Sequence, residues 1–203
     1  LNKYQKEILG YLKIRENTII DSNKFRHVQS NKILGATHPN YTKGTISYAH
    51  SLMPKWIVYY LRNKFLRIQK PLSGFEKIYI DRSDSNLNHC KLINNSEIKK
   101  YLKSRSFKIL KLSGLSFKKQ IGIFKSAKII IGPHGAGFAN LVFCKKNTRI
   151  IEIRPKNHPN KVYERVSKIN NLNYKLIRLD HVKNNKKGDM ILKKEILSNK
   201  FKI

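Results

Sequence analysis

The strongest constraint on the fold is an alternation of short apolar runs with helical patterns between Lys77 and Leu179. The apolar runs have the length of strands, and the segments between them place apolar residues three or four positions apart. This alternation is typical of a parallel sheet whose strands are connected by helices. Strands are predicted at residues 77–80, 108–112, 128–131, 149–153 and 174–179, and helices at 96–103, 116–126, 138–143 and 160–169. We therefore predict an α/β fold, with a Rossmann-like parallel sheet and helices on both faces.

The run at 128–131 is the most apolar, which predicts a central strand covered on both faces. It leads into a glycine-rich loop, at the edge where open parallel sheets bind their ligands. Glycines in this loop permit positive φ angles and close approach of a ligand, and the following helix offers N–H groups to a phosphate. The order of residues matches neither the dinucleotide fingerprint nor the P-loop. The loop therefore predicts another kind of phosphate site, made of Gly132, Pro133, His134, Gly135, Ala136 and Gly137.

Three charged or titratable side chains lie in, or shortly after, the predicted strands whose carboxyl ends form this edge of the sheet. His134 is positioned to donate a hydrogen bond to a diphosphate oxygen. Arg82 follows the first strand, where a guanidinium either clamps a diphosphate or pairs with Asp81 or Asp84. Glu152 lies inside an apolar strand and needs a partner, since a buried carboxylate without one is costly. That partner is a ribose diol, a structural Lys or a backbone amide.

The regular alternation of strand and helix patterns begins only after residues 71–74, where we place a domain boundary. Before it, strands are predicted at 18–20 and 27–34, a polar loop at 41–45 and a helix at 54–68. The chain begins at Leu1 rather than Met, so we expect it to be part of a longer protein. The helix has an apolar face that we interpret as core rather than as a ligand platform, made of Trp56, Tyr59, Tyr60, Phe65 and Leu66.

The net charge is +31, from 43 Lys and Arg against 12 Asp and Glu. Such a charge indicates nucleic acid, an anionic membrane or an acidic substrate as partner. The basic residues are mostly Lys, are spread along the chain and accompany abundant Asn and Ile, a composition that an AT-rich genome also produces. Residues 183–203 form a basic C-terminal tail or helix, which either contacts anionic lipid or, as we favour, is a solvated terminal helix. No run reaches the roughly 18 apolar residues of a membrane span.

Several ordered segments resemble glycosyltransferase family 61, whose bacterial members are also described as capsular polysaccharide biosynthesis proteins. The resemblance extends from about Lys77 to Leu176, and its most specific part is His-Gly-Ala-Gly followed by Asn-Leu-x-Phe. The matching segments are residues 78–82, 92–94, Gln120-Ile121 with Phe124 and Ala127, 132–137 with Asn140 and Phe143, and 151–153.

The resemblance implies a two-domain glycosyltransferase of the GT-B architecture that inverts the anomeric carbon. Residues 1–73 are then a remnant of the N-terminal, acceptor-side domain with a linking helix, and 74–182 are the nucleotide-sugar-binding domain. Arg82 and His134 are expected to neutralise charge on the departing nucleoside diphosphate. The donor-binding residues that it implies are Gly132, Pro133, Gly135, Ala136, Gly137, Asn140, Glu152 and Lys91. The general base stays unassigned among Asp21, His27, His38 and His50.

Two positions depart from the family pattern. Asn95 stands where the family has Glu, and Lys91 stands where it usually has Arg. Lys keeps the charge but lacks the bidentate fork of a guanidinium, which puts a phosphate contact by Lys91 in question.

The residues around the first strand also bear on metal binding. Asp81-Arg82-Ser83-Asp84 is not the Asp-x-Asp with which many glycosyltransferases hold a metal, and Cys90 and Cys144 lack metal-ligand spacing. We therefore expect no metal. The resemblance implies a nucleotide-sugar donor, for which we expect a UDP-sugar, and no cofactor.

The expected acceptor is a glycan, a lipid-linked acceptor or another hydroxyl acceptor in surface polysaccharide synthesis, in the cytoplasm at the inner face of a bacterial membrane. One alternative is a nucleic-acid-binding protein, a less favoured partner class, whose affinity would fall steeply with salt. The other is a non-catalytic nucleotide-sugar-binding module.

Overall fold

The computed structural model describes residues 3–35, 52–84, 89–182 and 188–203. Within them, five parallel strands form one sheet in the order β2-β1-β3-β4-β5. The prediction of an α/β fold with a Rossmann-like parallel sheet is confirmed, and the apolar strand β3 is central. The strands are β1 Lys77–Ile80, β2 Lys108–Leu110, β3 Ile129–Pro133, β4 Arg149–Pro155 and β5 Asn173–Leu179.

Helices cover both faces of this sheet, as predicted. One face packs on α2, α4, α5 and the long 3-10 helix, and the other packs on α3 and the C-terminal segment. The α-helices are α1 Lys3–Tyr11, α2 Lys55–Phe65, α3 Asn95–Ser104, α4 Phe117–Ser126 and α5 Val162–Ile169. The 3-10 helices are Glu16–Thr18, Leu66–Ile68 and Ala136–Phe143, and a π-helical turn spans Ile196–Lys200.

The pairing of β3 with β4 continues up to the start of the glycine-rich loop. Gly132 pairs with Glu152, and the His134 amide donates to the Ile153 carbonyl at 2.8 Å. β4 extends two residues beyond its predicted end, to Pro155. The residues that follow β4 therefore lie beside the glycine-rich loop.

The N-terminal strand predictions are wrong. Residues 16–18 form a 3-10 helix, and the described residues from Ile19 to 35 contain no strand and are exposed. Thr18-Ile19-Ile20 has β-branched side chains, but in the described part of the chain no strand lies beside it to form ladder hydrogen bonds. The loop predicted at 41–45 lies outside the described residues.

The buried face of α2 also differs from the prediction. Val58 and Phe65 are buried, whereas Trp56, Tyr59 and Tyr60 are 62%, 54% and 45% exposed. Apolar residues occupy more than one side of this helix, and the side with Val58 and Phe65 packs on the core. Its aromatic side faces outward.

The described part of the C-terminal segment is not the solvated helix that we favoured. Met190, Leu192 and Leu197 are fully buried against the face of the sheet that carries α3. Met190 also forms bridges with Leu92 and His181. Lys193 and Lys194 of this basic segment are exposed, whereas most of its apolar residues are part of the core. Residues 183–187 lie outside the described residues.

Candidate functional site

Arg82, His134 and Glu152 meet at the carboxyl ends of β1, β3 and β4. The Arg82 guanidinium donates to the main-chain carbonyl of His134 and, at 3.4 Å, to that of His89. Burial lowers the pKa of Arg82 from its usual value, although the charges of Cys90 and other neighbours act in the opposite direction. Arginine stays protonated in proteins, so a half-buried positive charge lies at this edge.

The glycines of the loop provide space rather than unusual backbone angles. A Cβ atom at Gly135 would overlap the Arg82 guanidinium, and one at Gly137 would lie 2.9 Å from Cδ1 of Leu112. A Cβ at Gly132 would lie 3.0 Å from that of Ile80. None of these three glycines has a left-handed φ angle, and Gly135 is extended with φ of 162°. The loop therefore uses the close approach that its glycines allow, and not the left-handed φ angles that they also permit.

Glu152 finds its partners within the protein. Its side chain is fully buried; one oxygen bonds to Nδ1 of His134, and the other accepts from the Tyr174 hydroxyl. Burial, and next the charge of Glu152, raise the pKa of Tyr174, which therefore stays a phenol and a donor. These partners are thus not the Lys or backbone amide that we considered, and a contact of Glu152 with the ribose stays a prediction. Glu152 instead holds the His134 ring in place through the hydrogen bond to Nδ1.

His158 belongs to this cluster, although the sequence analysis did not assign it. Its ring centroid lies 4.2 Å from that of His134, and the Tyr163 ring lies 5.1 Å from His134 on the same cluster. Nδ1 of His158 accepts from the amide of Asn160 at 3.3 Å. Burial, and next the neighbouring His134 and Arg154, lower the pKa of His158 to about 4. The neutral ring therefore carries its proton on Nε2 at pH 7. The signal was available, because His158 closely follows the carboxyl end of β4.

Asp81, beside Arg82, is held by other donors. Its Oδ1 accepts from Nδ2 of Asn95 at 2.9 Å and from the Ser83 amide at 3.0 Å, and Oδ2 lies 3.2 Å from Nζ of Lys99. Burial by itself raises the pKa of Asp81, but these donors outweigh it and the pKa is lowered. Asn95, where the family has Glu, therefore serves as an amide donor to a neighbouring carboxylate.

Two cavities meet at Arg82. The smaller, of about 210 Å³, is lined by Arg82, Lys91, Pro133 and nearby residues of α3 and its approach. The larger, of about 680 Å³, is lined by Arg82, Ala136, Gly137, Asn140 and by apolar side chains of α1, α2 and α4. Five of the eight predicted donor-binding residues thus line one cavity or the other, whereas Gly132, Gly135 and Glu152 line neither.

His134 and Glu152 line neither cavity. The side chain of Glu152 is fully buried, and His134 is only 5% exposed, so neither faces a cavity. Asn140, in contrast, reaches the larger cavity, and its amide donates to Gln120 Oε1 at 2.9 Å and to the Gly137 carbonyl at 3.2 Å. The contact of His134 with a diphosphate stays a prediction.

The other candidates lie apart from this edge or outside the described residues. Asp21 and His27 are in the exposed N-terminal segment, and His38 and His50 are not among the described residues. In the described ranges, no group of three or more His, Cys, Asp or Glu side chains is arranged to hold a metal ion. No helix of the described part is long and apolar enough to cross a membrane.

Comparison with known proteins identifies the family. The family model of glycosyltransferase 61 matches residues 23–151, which is more than half of the chain. The match begins well before the segment in which we noted the resemblance, and it ends one residue before Glu152. A comparison with curated proteins found no match. The chain therefore belongs to glycosyltransferase family 61, a family of enzymes that transfer a sugar from a nucleotide-sugar donor to an acceptor such as a glycan.

Proposed function

We propose that the edge around Arg82 binds the diphosphate of the donor and promotes its departure in an inverting transfer that needs no metal. The observation that carries the proposal is the position of Arg82, a half-buried cation at the junction of two cavities. Lys91 lines the same small cavity, so two cationic side chains border a space of about 210 Å³. Two cationic side chains beside one small cavity favour an anion as its occupant.

The sizes of the two cavities support a division of the donor between them. Pockets for whole small molecules usually measure about 300–1,000 Å³, so the smaller cavity suits only part of a nucleotide sugar. The larger cavity, of about 680 Å³, suits a bigger and less charged part. We place the diphosphate against Arg82 and Lys91, and the remainder of the donor beside Ala136, Gly137 and Asn140.

His134 acts in this proposal mainly by positioning Arg82. Its carbonyl accepts from the guanidinium, and its ring is anchored by Glu152. The glycine at 135 leaves the space that the guanidinium occupies. A hydrogen bond from the His134 ring to the diphosphate, as expected from the sequence, is the alternative role.

The chemical step follows from these charges. As the bond between the anomeric carbon and the diphosphate oxygen breaks, negative charge grows on that oxygen, and Arg82 and Lys91 stabilise it. The acceptor hydroxyl attacks the opposite face of the anomeric carbon and gives its proton to a base, which inverts the configuration. We propose a UDP-sugar as donor and a surface glycan or lipid-linked glycan as acceptor, in the bacterial cytoplasm at the inner membrane face.

The test is calorimetric binding of UDP, GDP and CMP, with and without their sugars, to the native chain and to variants. Losing a charge-assisted hydrogen bond costs about 1.5–3 kcal/mol, so Arg82→Ala should weaken binding roughly 10-fold to 150-fold. Arg82→Lys should recover part of this loss. The control Lys175→Ala removes an exposed charge of β5 and should leave affinity unchanged.

Three outcomes would contradict parts of this proposal. Equal affinity of native protein and Arg82→Ala would remove Arg82 from the site. Loss of binding on adding EDTA would show that a metal is needed. Nucleotide binding without release of nucleoside diphosphate, when the full-length enzyme and a glycan acceptor are supplied, would favour a non-catalytic module.

A further inference from the structure

The outer face of α2 carries three exposed aromatic side chains on the side opposite the core. Trp56, Tyr59 and Tyr60 are 62%, 54% and 45% exposed, while Val58 and Phe65 are buried beneath the helix. We call these three residues the aromatic face. Trp and Tyr combine an apolar ring with a polar tip, which suits them to boundaries between water and an apolar phase. Neither of the two cavities described above is lined by them.

The charged residues of α2 and of the turn after it have one sign. Lys55, Lys64, Arg67 and Lys70 are exposed along α2 and the turn after it, and residues 55–70 contain no Asp or Glu. Nζ of Lys64 lies 5.9 Å from the centre of the Tyr60 ring, so charge and aromatic surface are interleaved. The surface that complements this face is therefore anionic.

We infer that the aromatic face of α2 docks on an anionic lipid bilayer, with its rings among the headgroups and its basic residues against the lipid phosphates. Aromatic residues flanked by Lys and Arg are the usual composition of helices that lie in the membrane interface. Single-stranded nucleic acid is instead bound along a groove with stacking side chains. The aromatic face is the outside of a helix, which favours a lipid surface over a nucleic acid strand.

Docking by α2 would also place the larger cavity close to the membrane. Leu61 and Phe65 of the same helix line that cavity from its inner side, about one helix diameter, roughly 10 Å, from the aromatic face. A lipid-linked acceptor would then be close to the donor. The docking itself rests on the aromatic face and the basic residues of α2, and it does not require the proposed donor site.

The experiment uses the fluorescence of Trp56, the single tryptophan of the chain. The 203-residue protein is mixed with vesicles of phosphatidylcholine, or of phosphatidylcholine and phosphatidylglycerol in equal parts. We expect binding and a blue shift of the emission with the anionic vesicles only. Each surface Lys contributes about fivefold in affinity, so Lys55→Ala with Lys64→Ala should weaken binding about 25-fold. Tyr59→Ser with Tyr60→Ser should reduce both binding and blue shift.

The matched control removes the same charge from the other face of the sheet. Lys100 and Lys103 are exposed on α3, and their double replacement by Ala should leave affinity within about twofold. Equal weakening by the two Lys pairs would overturn the inference, since binding would then depend on net charge. A blue shift without vesicles that grows with protein concentration would show a second copy on α2 instead. Preferential binding of a poly-uridine oligonucleotide, with a change in Trp56 emission, would assign the face to nucleic acid. Unaltered circular dichroism will confirm that each variant is folded.

Discussion

Replacing Tyr174 with Phe removes one hydroxyl and leaves an oxygen of the buried Glu152 without its donor. A hydrogen bond to a charged group contributes about 1.5–3 kcal/mol to stability. For a protein of 150–250 residues, 1 kcal/mol shifts Tm by about 2–4 °C. We therefore expect Tyr174→Phe to lower Tm by about 3–12 °C, as measured by circular dichroism or calorimetry.

Two other tyrosines calibrate this effect. The hydroxyl of buried Tyr79 donates to the neutral amide oxygen of Asn95 at 2.7 Å, so Tyr79→Phe should cost about 0.5–1.5 kcal/mol. Tyr59 is 54% exposed, and Tyr59→Phe should stay within about 0.5 kcal/mol of the native protein. The predicted order of destabilisation is therefore Tyr174, then Tyr79, then Tyr59.

A different order would refute the reasoning. If Tyr174→Phe were as stable as Tyr59→Phe, the Glu152 carboxylate would not depend on this hydroxyl. Nucleotide affinity adds a second readout, because Tyr174→Phe keeps the bond between Arg82 and the His134 carbonyl. We expect that affinity to change less than about threefold, since the interactions proposed to bind phosphate remain.

Three further predictions concern the same edge of the sheet. Gly135→Ala places a methyl group on the Arg82 guanidinium and should reduce nucleotide affinity in calorimetry as much as Arg82→Ala, whereas Gly114→Ala, with nothing within 4 Å, should be neutral. Asp81→Asn should destabilise the protein more at pH 7 than at pH 3, as measured by urea unfolding. The pKa of Asp81 is lowered in the folded state, so its carboxylate stabilises the protein above the ordinary pKa of 3.8. This stability is lost as the pH falls through the pKa of the folded state. The folded pKa of His158 is depressed from 6.5 to about 4, so the native protein should lose stability as the pH falls across that interval. His158→Phe should show a shallower decline of Tm there, and an unchanged slope would contradict the assigned pKa.

Much of the sheet could be predicted because each strand is marked by a short apolar run in its own sequence. β3 is a continuous apolar run between covered faces, and Ser116 marks the start of α4 by accepting from the amide of Lys119 at 3.2 Å. The N-terminal runs, such as 18–20, have strand-like residues, but among the residues that the structure describes no strand lies beside them. The sequence of α2 likewise has apolar residues on both sides of the helix. Which side is buried therefore depends on the elements that pack against it, and not on the sequence of α2 alone.

The edge of the sheet at which Arg82 and His134 come together was also predictable, but the partners of Glu152 were not. Arg82 and His134 follow or lie at carboxyl ends of parallel strands, and such ends share one edge. Tyr174 became a partner of Glu152 only through the register of β4 and β5, in which it stands opposite Ile150. Glu152 lies two residues further along the same face of β4, within diagonal reach of a long side chain. Sequence spacing does not encode that register.

The two roles considered for His134 lead to opposite expectations in one double-mutant cycle. His134→Ala keeps the main-chain carbonyl that holds Arg82 but leaves buried Glu152 without one of its two partners, which should cost about 3–5 kcal/mol. Adding Glu152→Gln removes the unpaired charge, so the double variant should be more stable than His134→Ala alone. If His134 only positions Arg82, nucleotide affinity should return together with stability. If its ring binds the diphosphate, stability should return while affinity stays low, and the positioning role would be refuted.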